Sequence, residues 1–206
     1  MRASILLSIR CDHHPNGLTW DGEALWDSDG GTGVLYRIDP RNGVVLASLD
    51  PGAHGSCGLT WDGSHLWTSV ARVGKLHRVS LSGEIVSSAS APGPSPHGTT
   101  WDGECLWSAD IESHTLYRID PSDGKVVASF SSSGTRPHGL AWDGTYLWSA
   151  DTDRKMLYKM DPKSGAVIDA IPCPDGTEPH GLTWDGANLW YDHSGERSIY
   201  KIMLES

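Results

Sequence analysis

The segment PHGLAWDGTYLWSAD at residues 137–151 contains the pattern that decides the fold of this 206-residue chain. A short apolar run ends at Trp142, an Asp-Gly pair follows at residues 143–144, and a second apolar run contains Trp148. Asp-Gly between two short apolar runs is the strongest local signal for a β-hairpin. We therefore predict two antiparallel strands, strand A over residues 139–142 and strand B over residues 147–151.

Two further strands are predicted directly after this hairpin. Leu157–Met160 is a short apolar run, and the polar sequence Asp-Pro-Lys-Ser-Gly at residues 161–165 forms a turn before residues 166–170. These runs are strands C and D. Four short antiparallel strands within about 41 residues are typical of one blade of a β-propeller.

The same unit occurs five times. Its Trp-Asp-Gly motif recurs at intervals of 41, 40, 41 and 42 residues, at Trp20, Trp61, Trp101, Trp142 and Trp184. Six residues later each unit has a second tryptophan, at Trp26, Trp67, Trp107, Trp148 and Trp190, so that two per unit account for all ten. An aromatic pair that recurs in every unit indicates packing between blades, because a ligand site needs asymmetry.

The two ends of the sequence complement each other. The fifth unit has strand A at residues 181–184, strand B at 189–192 and strand C at 199–203, and it ends without a strand D. Residues 4–9, Ser-Ile-Leu-Leu-Ser-Ile, form an apolar run ahead of the first unit. We predict that this run completes the last blade and removes an exposed edge. The expected fold is all-β: residues 1–206 form a single, complete five-bladed β-propeller of four-stranded antiparallel blades.

Composition excludes several classes of function. Lys plus Arg 16 against Asp plus Glu 26 gives a formal net charge of −10, which argues against a nucleic-acid partner. The N-terminal residues contain neither a signal peptide nor a membrane-spanning run, so we expect a soluble, cytoplasmic monomer without a membrane partner. The four cysteines have no CxxC spacing, which favours free thiols over a zinc ribbon or a thioredoxin motif.

One residue in each unit lies four positions before the strand-A tryptophan. Equivalent positions of a closed propeller lie on a ring around its axis, and we call this set the axial ring: Asn16, Cys57, His97, His138 and His180. Three neutral imidazoles that converge there would form a ligand shell for a transition-metal ion, with zinc or copper favoured. The alternative is that Pro-His-Gly is a turn in which Pro fixes φ and Gly permits close approach.

The two other residues of the axial ring are open to two interpretations. Asn16 and Cys57 are either further metal ligands or the floor of a reaction pocket, and a thiolate ligand would favour zinc or copper over magnesium or calcium. The alternative for Cys57 is a small buried thiol that fills space where histidine would not fit.

A second ring lies three residues after each strand-B tryptophan, at Asp29, Val70, Asp110, Asp151 and His193. Strand B is antiparallel to strand A, so both rings lie on one face of the propeller, which we call the mouth. His193, Asp110 and Asp151 are candidates for proton transfer or for orienting the imidazoles. The alternative for the aspartates is closure of the B–C loop through backbone hydrogen bonds. Loop residues around the mouth, including His13 and His14, are further candidates for specificity, although most of them are expected to be solvated surface.

The Pro-His-Gly motifs at residues 96–98, 137–139 and 179–181 resemble the repeat of NHL-type propellers and of the peptidyl-hydroxyglycine lyase domain. In that lyase domain, histidines of such motifs hold zinc on the propeller axis, and the resemblance implies this role for His97, His138 and His180. Those relatives usually have six blades. The plant and bacterial glutaminyl cyclases are a similar five-bladed family, but their strand-A glutamates are not matched here.

Two hypotheses of function follow. The first is a metal-dependent lyase, hydrolase or cyclase in which an axial tris-histidine site acts on a small molecule or a peptide end. The second is a non-catalytic propeller that binds a peptide or protein on its mouth, with the histidines serving structure. The sequence has no serine-nucleophile elbow, P-loop or dinucleotide fingerprint, so serine nucleophilic chemistry and nucleotide use have no support.

Overall fold

The structure, a computed structural model that describes residues 1–205, consists of five four-stranded antiparallel sheets. Strands are numbered in chain order, and each sheet is one blade. Blade 1 contains β2 (Pro15–Trp20), β3 (Leu25–Asp29), β4 (Leu35–Ile38) and β5 (Val45–Leu49). Blade 2 contains β6 (Ser56–Trp61), β7 (Leu66–Val70), β8 (Lys75–Val79) and β9 (Ile85–Ser90). Blade 3 contains β10 (Pro96–Trp101), β11 (Leu106–Asp110), β12 (Thr115–Ile119) and β13 (Val126–Ser131). Blade 4 contains β14 (Pro137–Trp142), β15 (Leu147–Asp151), β16 (Met156–Met160) and β17 (Val167–Pro172).

The last blade joins the two ends of the chain. It contains β18 (Leu182–Trp184), β19 (Leu189–His193), β20 (Ser198–Glu205) and, on the outside, β1 (Arg2–Arg10). β1 pairs antiparallel with β20, from Arg2 opposite Glu205 to Arg10 opposite Ser198. The predicted closure of the fifth blade by residues 4–9 is confirmed, as is the all-β five-bladed class.

Helix is almost absent from this part of the chain. Between residues 1 and 205, helical structure is limited to two 3₁₀ turns at Ala71–Val73 and Pro174–Gly176. Within the same residues, no helix has the length and apolar character needed to cross a membrane.

Tryptophans of strand B pack each blade against the next. Trp26 of blade 1 lies in a core cluster with Leu59 and Leu66 of blade 2, and Trp190 of blade 5 lies with Leu18 and Leu25 of blade 1. The other three tryptophans of this set pack in the same way against the blade that follows them. The predicted role of the tryptophans in packing between blades is confirmed.

The Asp-Gly turns also tie their own blade together. In blade 2, Asp62 Oδ1 accepts the backbone N–H groups of Ser64 and His65, while Oδ2 accepts the indole N–H of Trp67 at 2.9 Å and the guanidinium of Arg78. The indole-to-aspartate bond recurs in all five blades. These aspartates therefore serve folding.

Candidate functional site at the propeller axis

A β-bulge positions the side chains of the axial ring in blades 1 to 4, whereas His180 of blade 5 lies just before its inner strand. In blade 3, Pro96 pairs with Asp110 but Thr99 pairs with Ser108, so the register shifts by one residue across His97 and Gly98. Blades 1, 2 and 4 have the same shift at the same place. A bulge leaves one residue out of the ladder and turns its side chain in a new direction. Pro96 and Pro137 begin the inner strands, so in these two blades the alternative interpretation of Pro-His-Gly as a turn does not hold.

The structure brings the three histidines of the axial ring together, and we call them the axial histidine cluster. The rings of His97 and His138 lie with centroids 4.7 Å apart, and those of His138 and His180 lie 4.5 Å apart. His138, between the other two, is 3% exposed. Three imidazoles from three blades thus form one continuous group at the axis.

Burial favours the neutral form of all three imidazoles. Burial lowers the pKa of His138 well below its usual value, and the neighbouring His180, His97 and Arg136 lower it further. Burial, with His193 and Arg136 nearby, lowers the pKa of His180 to about 4. Burial also lowers the pKa of His97. Neutral imidazole is the form that binds a metal ion or accepts a proton.

Hydrogen bonds at the cluster leave ring nitrogens available. His97 donates from Nδ1 to the Ser95 carbonyl at 3.0 Å, which leaves the lone pair of Nε2 free. His180 Nδ1 accepts a long bond of 3.4 Å from the Ser194 N–H. Nδ1 of His138 is buried and has no hydrogen-bond partner among residues 1–205. An unpartnered buried nitrogen is unusual and calls for a ligand or a bound group.

Asn16 and Cys57 are on the opposite side of the axial ring. Asn16 donates to the Ser56 carbonyl at 3.3 Å, and the Cys57 thiol contacts the Gly55 carbonyl at 3.3 Å. Burial raises the pKa of Cys57, which opposes formation of a thiolate. These contacts tie both side chains to blade 2 and give neither of them a hydrogen bond to the histidines. Their role as ligands stays a prediction.

The aspartates of the second ring are occupied by backbone groups. Asp110 accepts the N–H of Ser95 from the preceding loop at 2.5 Å and the N–H of Ser113 from the following loop at 2.7 Å. Asp151 accepts the N–H groups of Arg136 and Arg154, each at 2.7 Å. Asp29 ties its two loops in the same way. These hydrogen bonds close the loops on either side of each aspartate. A catalytic role of Asp110 and Asp151 stays a prediction.

His193 lies beside the histidine cluster and has an acidic neighbour. It is 7% exposed and close enough to His180 to lower the pKa of that residue. Its Nδ1 accepts the Glu196 N–H at 3.3 Å, and its Nε2 lies 3.7 Å from the Glu196 carboxylate. This places a His–Glu pair at the blade 5 side of the mouth.

Arg136 is a component of the site that the sequence analysis did not identify. Its side chain is 45% exposed and lies 3.9 Å from Asp153. Its positive charge is close enough to lower the pKa of all three cluster histidines. Arg136 directly precedes the Pro-His pair of blade 4, but no other unit has Lys or Arg there to draw attention to the position.

The tightest group of potential metal-ligand atoms lies outside the axial histidine cluster. Within residues 1–205, the one set of three His, Cys, Asp or Glu side chains whose ligand atoms all lie within 4.8 Å of one another is Cys11, His13 and Asp27. His13 is 9% exposed, because its ring packs against Tyr36 and hydrogen-bonds Asp27 of blade 1. The nitrogens of the axial histidine cluster do not meet this 4.8 Å criterion. For its three imidazoles to bind one ion, at least one of them must rotate about its side-chain torsions.

Comparison with known proteins finds likeness in fold alone. No family model and no curated protein matches the sequence. Glutaminyl cyclase of Myxococcus xanthus superposes with a TM-score of 0.83 at 15% identity, covering 99% of this chain and 97% of that chain. A catalytically inactive His-to-Ala variant of virginiamycin B lyase from Staphylococcus aureus, with quinupristin, gives 0.62 at 21% identity, covering 94% and 67%. The structure of a nidogen/laminin complex gives 0.64 at 15% identity, covering 87% and 72%. The propeller fold is therefore shared with enzymes and with a protein known from a complex.

Proposed function

We propose that this chain is a metal-dependent enzyme, a lyase, hydrolase or cyclase, that acts at the mouth on a small molecule or the end of a peptide. The observation that carries the proposal is the axial histidine cluster: three neutral, adjacent imidazoles, one with a buried nitrogen that has no partner. Burying a polar group without a partner costs free energy, so its persistence argues for a role outside packing.

In this proposal the cluster holds a transition-metal ion, zinc or copper. The donor set fits, because neutral imidazole is a common ligand of both ions and three such ligands leave a coordination position open. When bound, the ion would polarise a carbonyl group or lower the pKa of a water molecule. Asn16 and Cys57, on the far side of the ring, would border the space beside it.

Arg136 supports a substrate with an anionic or strongly polar group. Its guanidinium is partly exposed at the mouth of a protein with a formal net charge of −10. This guanidinium, whose charge reaches all three cluster histidines, would orient a carboxylate or a carbonyl oxygen by charge-assisted hydrogen bonds. We assign substrate positioning to Arg136.

His193 is the proposed group for proton transfer. The Glu196 carboxylate lies 3.7 Å from its Nε2, and the backbone N–H of Glu196 at its Nδ1 fixes the ring. Asp110 and Asp151 are weaker candidates, because their carboxylate oxygens already accept backbone hydrogen bonds.

The structural neighbours support the class of reaction. Two of the three are named as enzymes, one a cyclase and one a lyase. The lyase variant that is described as catalytically inactive carries a histidine-to-alanine change. The nidogen/laminin structure is consistent with the alternative, a propeller that binds a protein on its mouth. That alternative requires no chemistry from the histidines.

Activity assays test the proposal. Purified protein supplied with zinc or copper would be incubated with peptides that begin with glutamine and with quinupristin, and product formation followed by mass spectrometry. We expect turnover of one of these classes, a loss of at least about 100-fold in the His138→Ala variant, and no change in the control His77→Ala, whose imidazole lies on β8 and hydrogen-bonds Ser88. Equal turnover in wild type and folded His138→Ala would contradict the proposed site, and binding of intact peptides without turnover of either substrate would favour the alternative.

A further inference from the structure

A cluster of four polar side chains is buried where the last blade meets the first, an interface that we call the seam. Cys11 and His13 come from the connection between β1 and β2, Asp27 from β3 of blade 1, and Asp192 from β19 of blade 5. Both aspartates are 0% exposed, Cys11 is 6% exposed and His13 is 9% exposed. The proposed axial chemistry uses none of the four.

Three ligand atoms of this seam cluster are close together. Those of Cys11, His13 and Asp27 lie within 4.8 Å of one another, and His13 Nε2 is 2.9 Å from Asp27 Oδ2. Asp192 lies outside this set of three and approaches it from the other blade. Its Oδ2 accepts the Gly181 N–H at 3.1 Å, and Gly181 packs against Leu18, which is the register partner of Asp27 in blade 1.

Two carboxylate oxygens in the cluster have no visible partner. Oδ1 of Asp27 and Oδ1 of Asp192 are both buried without a hydrogen bond to any residue between 1 and 205. Two carboxylates brought together in a dry interface repel each other, and each loses its hydration. A bound cation would satisfy both oxygens and remove the repulsion.

The repeat shows that blade packing does not require these acids. The residues equivalent to Asp27, directly after the strand-B tryptophan, are Thr68, Ser108, Ser149 and Tyr191. Those equivalent to Asp192, two positions after that tryptophan, are Ser28, Ser69, Ala109 and Ala150. The other blade interfaces are thus built with small, neutral or aromatic residues. The acidic pair occurs only at the seam, together with the one Cys-x-His sequence of the chain, at residues 11–13.

We propose that the seam is a structural metal site in which Cys11, His13, Asp27 and Asp192 hold a zinc-class divalent ion. A thiolate, an imidazole and carboxylates in four-coordinate geometry are the ligands that Zn²⁺ takes in closed sites. Binding would displace the thiol proton of Cys11 and replace the direct His13–Asp27 hydrogen bond by bonds through the ion. The ion would join the two ends of the ring, so that it stabilises the closed propeller and takes no part in the axial reaction.

The test uses Co²⁺ and Zn²⁺ with the chain carrying His138→Ala, so that the axial cluster does not contribute. We expect one cobalt ion per chain with a thiolate-to-cobalt charge-transfer band, a higher melting temperature with Zn²⁺, and the same band in the matched control Cys105→Ser, which removes another free buried thiol. Cys11→Ser should abolish the band, and Asp27→Asn should weaken zinc binding at least about tenfold. A folded Cys11→Ser variant that binds cobalt with an unchanged spectrum would overturn the proposal.

Thiol protection gives a second readout that does not depend on the folding of any variant. In the wild-type chain, Zn²⁺ should slow alkylation of Cys11 in mild denaturant by at least about tenfold. Cys105 provides the internal reference, because it lies at the Asp-Gly turn of blade 3, away from the seam. Equal alkylation of Cys11 with and without zinc would overturn the seam site, whatever the result at the axial cluster.

Discussion

The glycine that follows each residue of the axial ring sets how closely the inner strands approach. A Cβ atom on Gly98 would overlap the carbonyl oxygen of His138, and one on Gly58 would overlap that of His97. Gly17 and Gly139 face the next blade in the same way. Glycine is needed here for space, since it lets neighbouring backbones meet at the axis and brings the histidine rings within 5 Å of each other.

Substitution of Gly98 tests this role of close approach. Gly98→Ala should lower the free energy of unfolding by about 1–3 kcal/mol, because the backbone of two blades must separate to admit the methyl group. Gly195→Ala is the control, since the nearest atom to its Cβ, His193 Cε1, lies 3.4 Å away. Urea unfolding of both variants would measure the difference, and equal stabilities would show that the inner strands have room to spare.

A pH dependence of stability follows from the turn aspartates. Burial alone would raise the pKa of Asp62, but the hydrogen bonds from His65, Ser64 and Trp67 outweigh it and hold the pKa at about 2. A carboxyl whose pKa is lower in the folded state stabilises the fold above its unfolded value of 3.8 and loses that contribution as pH falls toward 2. Between pH ~5 and ~2, the wild type should therefore lose more stability than Asp62→Asn in urea unfolding. Parallel pH profiles for the two proteins would be inconsistent with this assignment.

Among the elements, the inner strands carry the site and the outermost strand of blade 5 closes the molecule. The sequence predicted strands A to D within a few residues, because hairpin turns and tryptophans recur in every unit. It did not predict that His97 and His138 lie inside their strands, since a β-bulge leaves no local signal beyond the glycine that follows. Proline at the first position of each strand was compatible with either arrangement.

Removal of β1 tests closure of the ring. Deletion of residues 1–10 should expose the edge of β20 over the length that β1 now covers, with loss of the cooperative melting transition and with aggregation. A synthetic peptide of residues 1–10, added in excess, should restore part of the transition by pairing with β20. A truncated protein that melts at the wild-type temperature would show that β1 contributes little to the fold.

At the scale of the whole molecule, function is expected where the fivefold pattern is broken. The axial ring changes from three histidines to Asn16 and Cys57, and the seam replaces small neutral residues by Asp27 and Asp192. The change of residue type within the axial ring could be predicted from the sequence, because its five residues occupy one aligned position of the repeat. The seam could not be predicted in the same way, since its residues come from both ends of the chain and meet only on closure. The signal available in the sequence was the pair of acidic residues Asp27, directly after Trp26, and Asp192, two positions after Trp190.

The number of zinc ions bound per chain at equilibrium, determined by elemental analysis after dialysis, tests the central claim that the axial histidine cluster holds a metal ion. We expect two ions in the wild type, one in His138→Ala and one in Cys11→Ser, with all three proteins showing the same circular dichroism spectrum. The fold should survive loss of either ligand because the tryptophans hold the blades together. A His138→Ala variant that retains the wild-type number of zinc ions would contradict the claim.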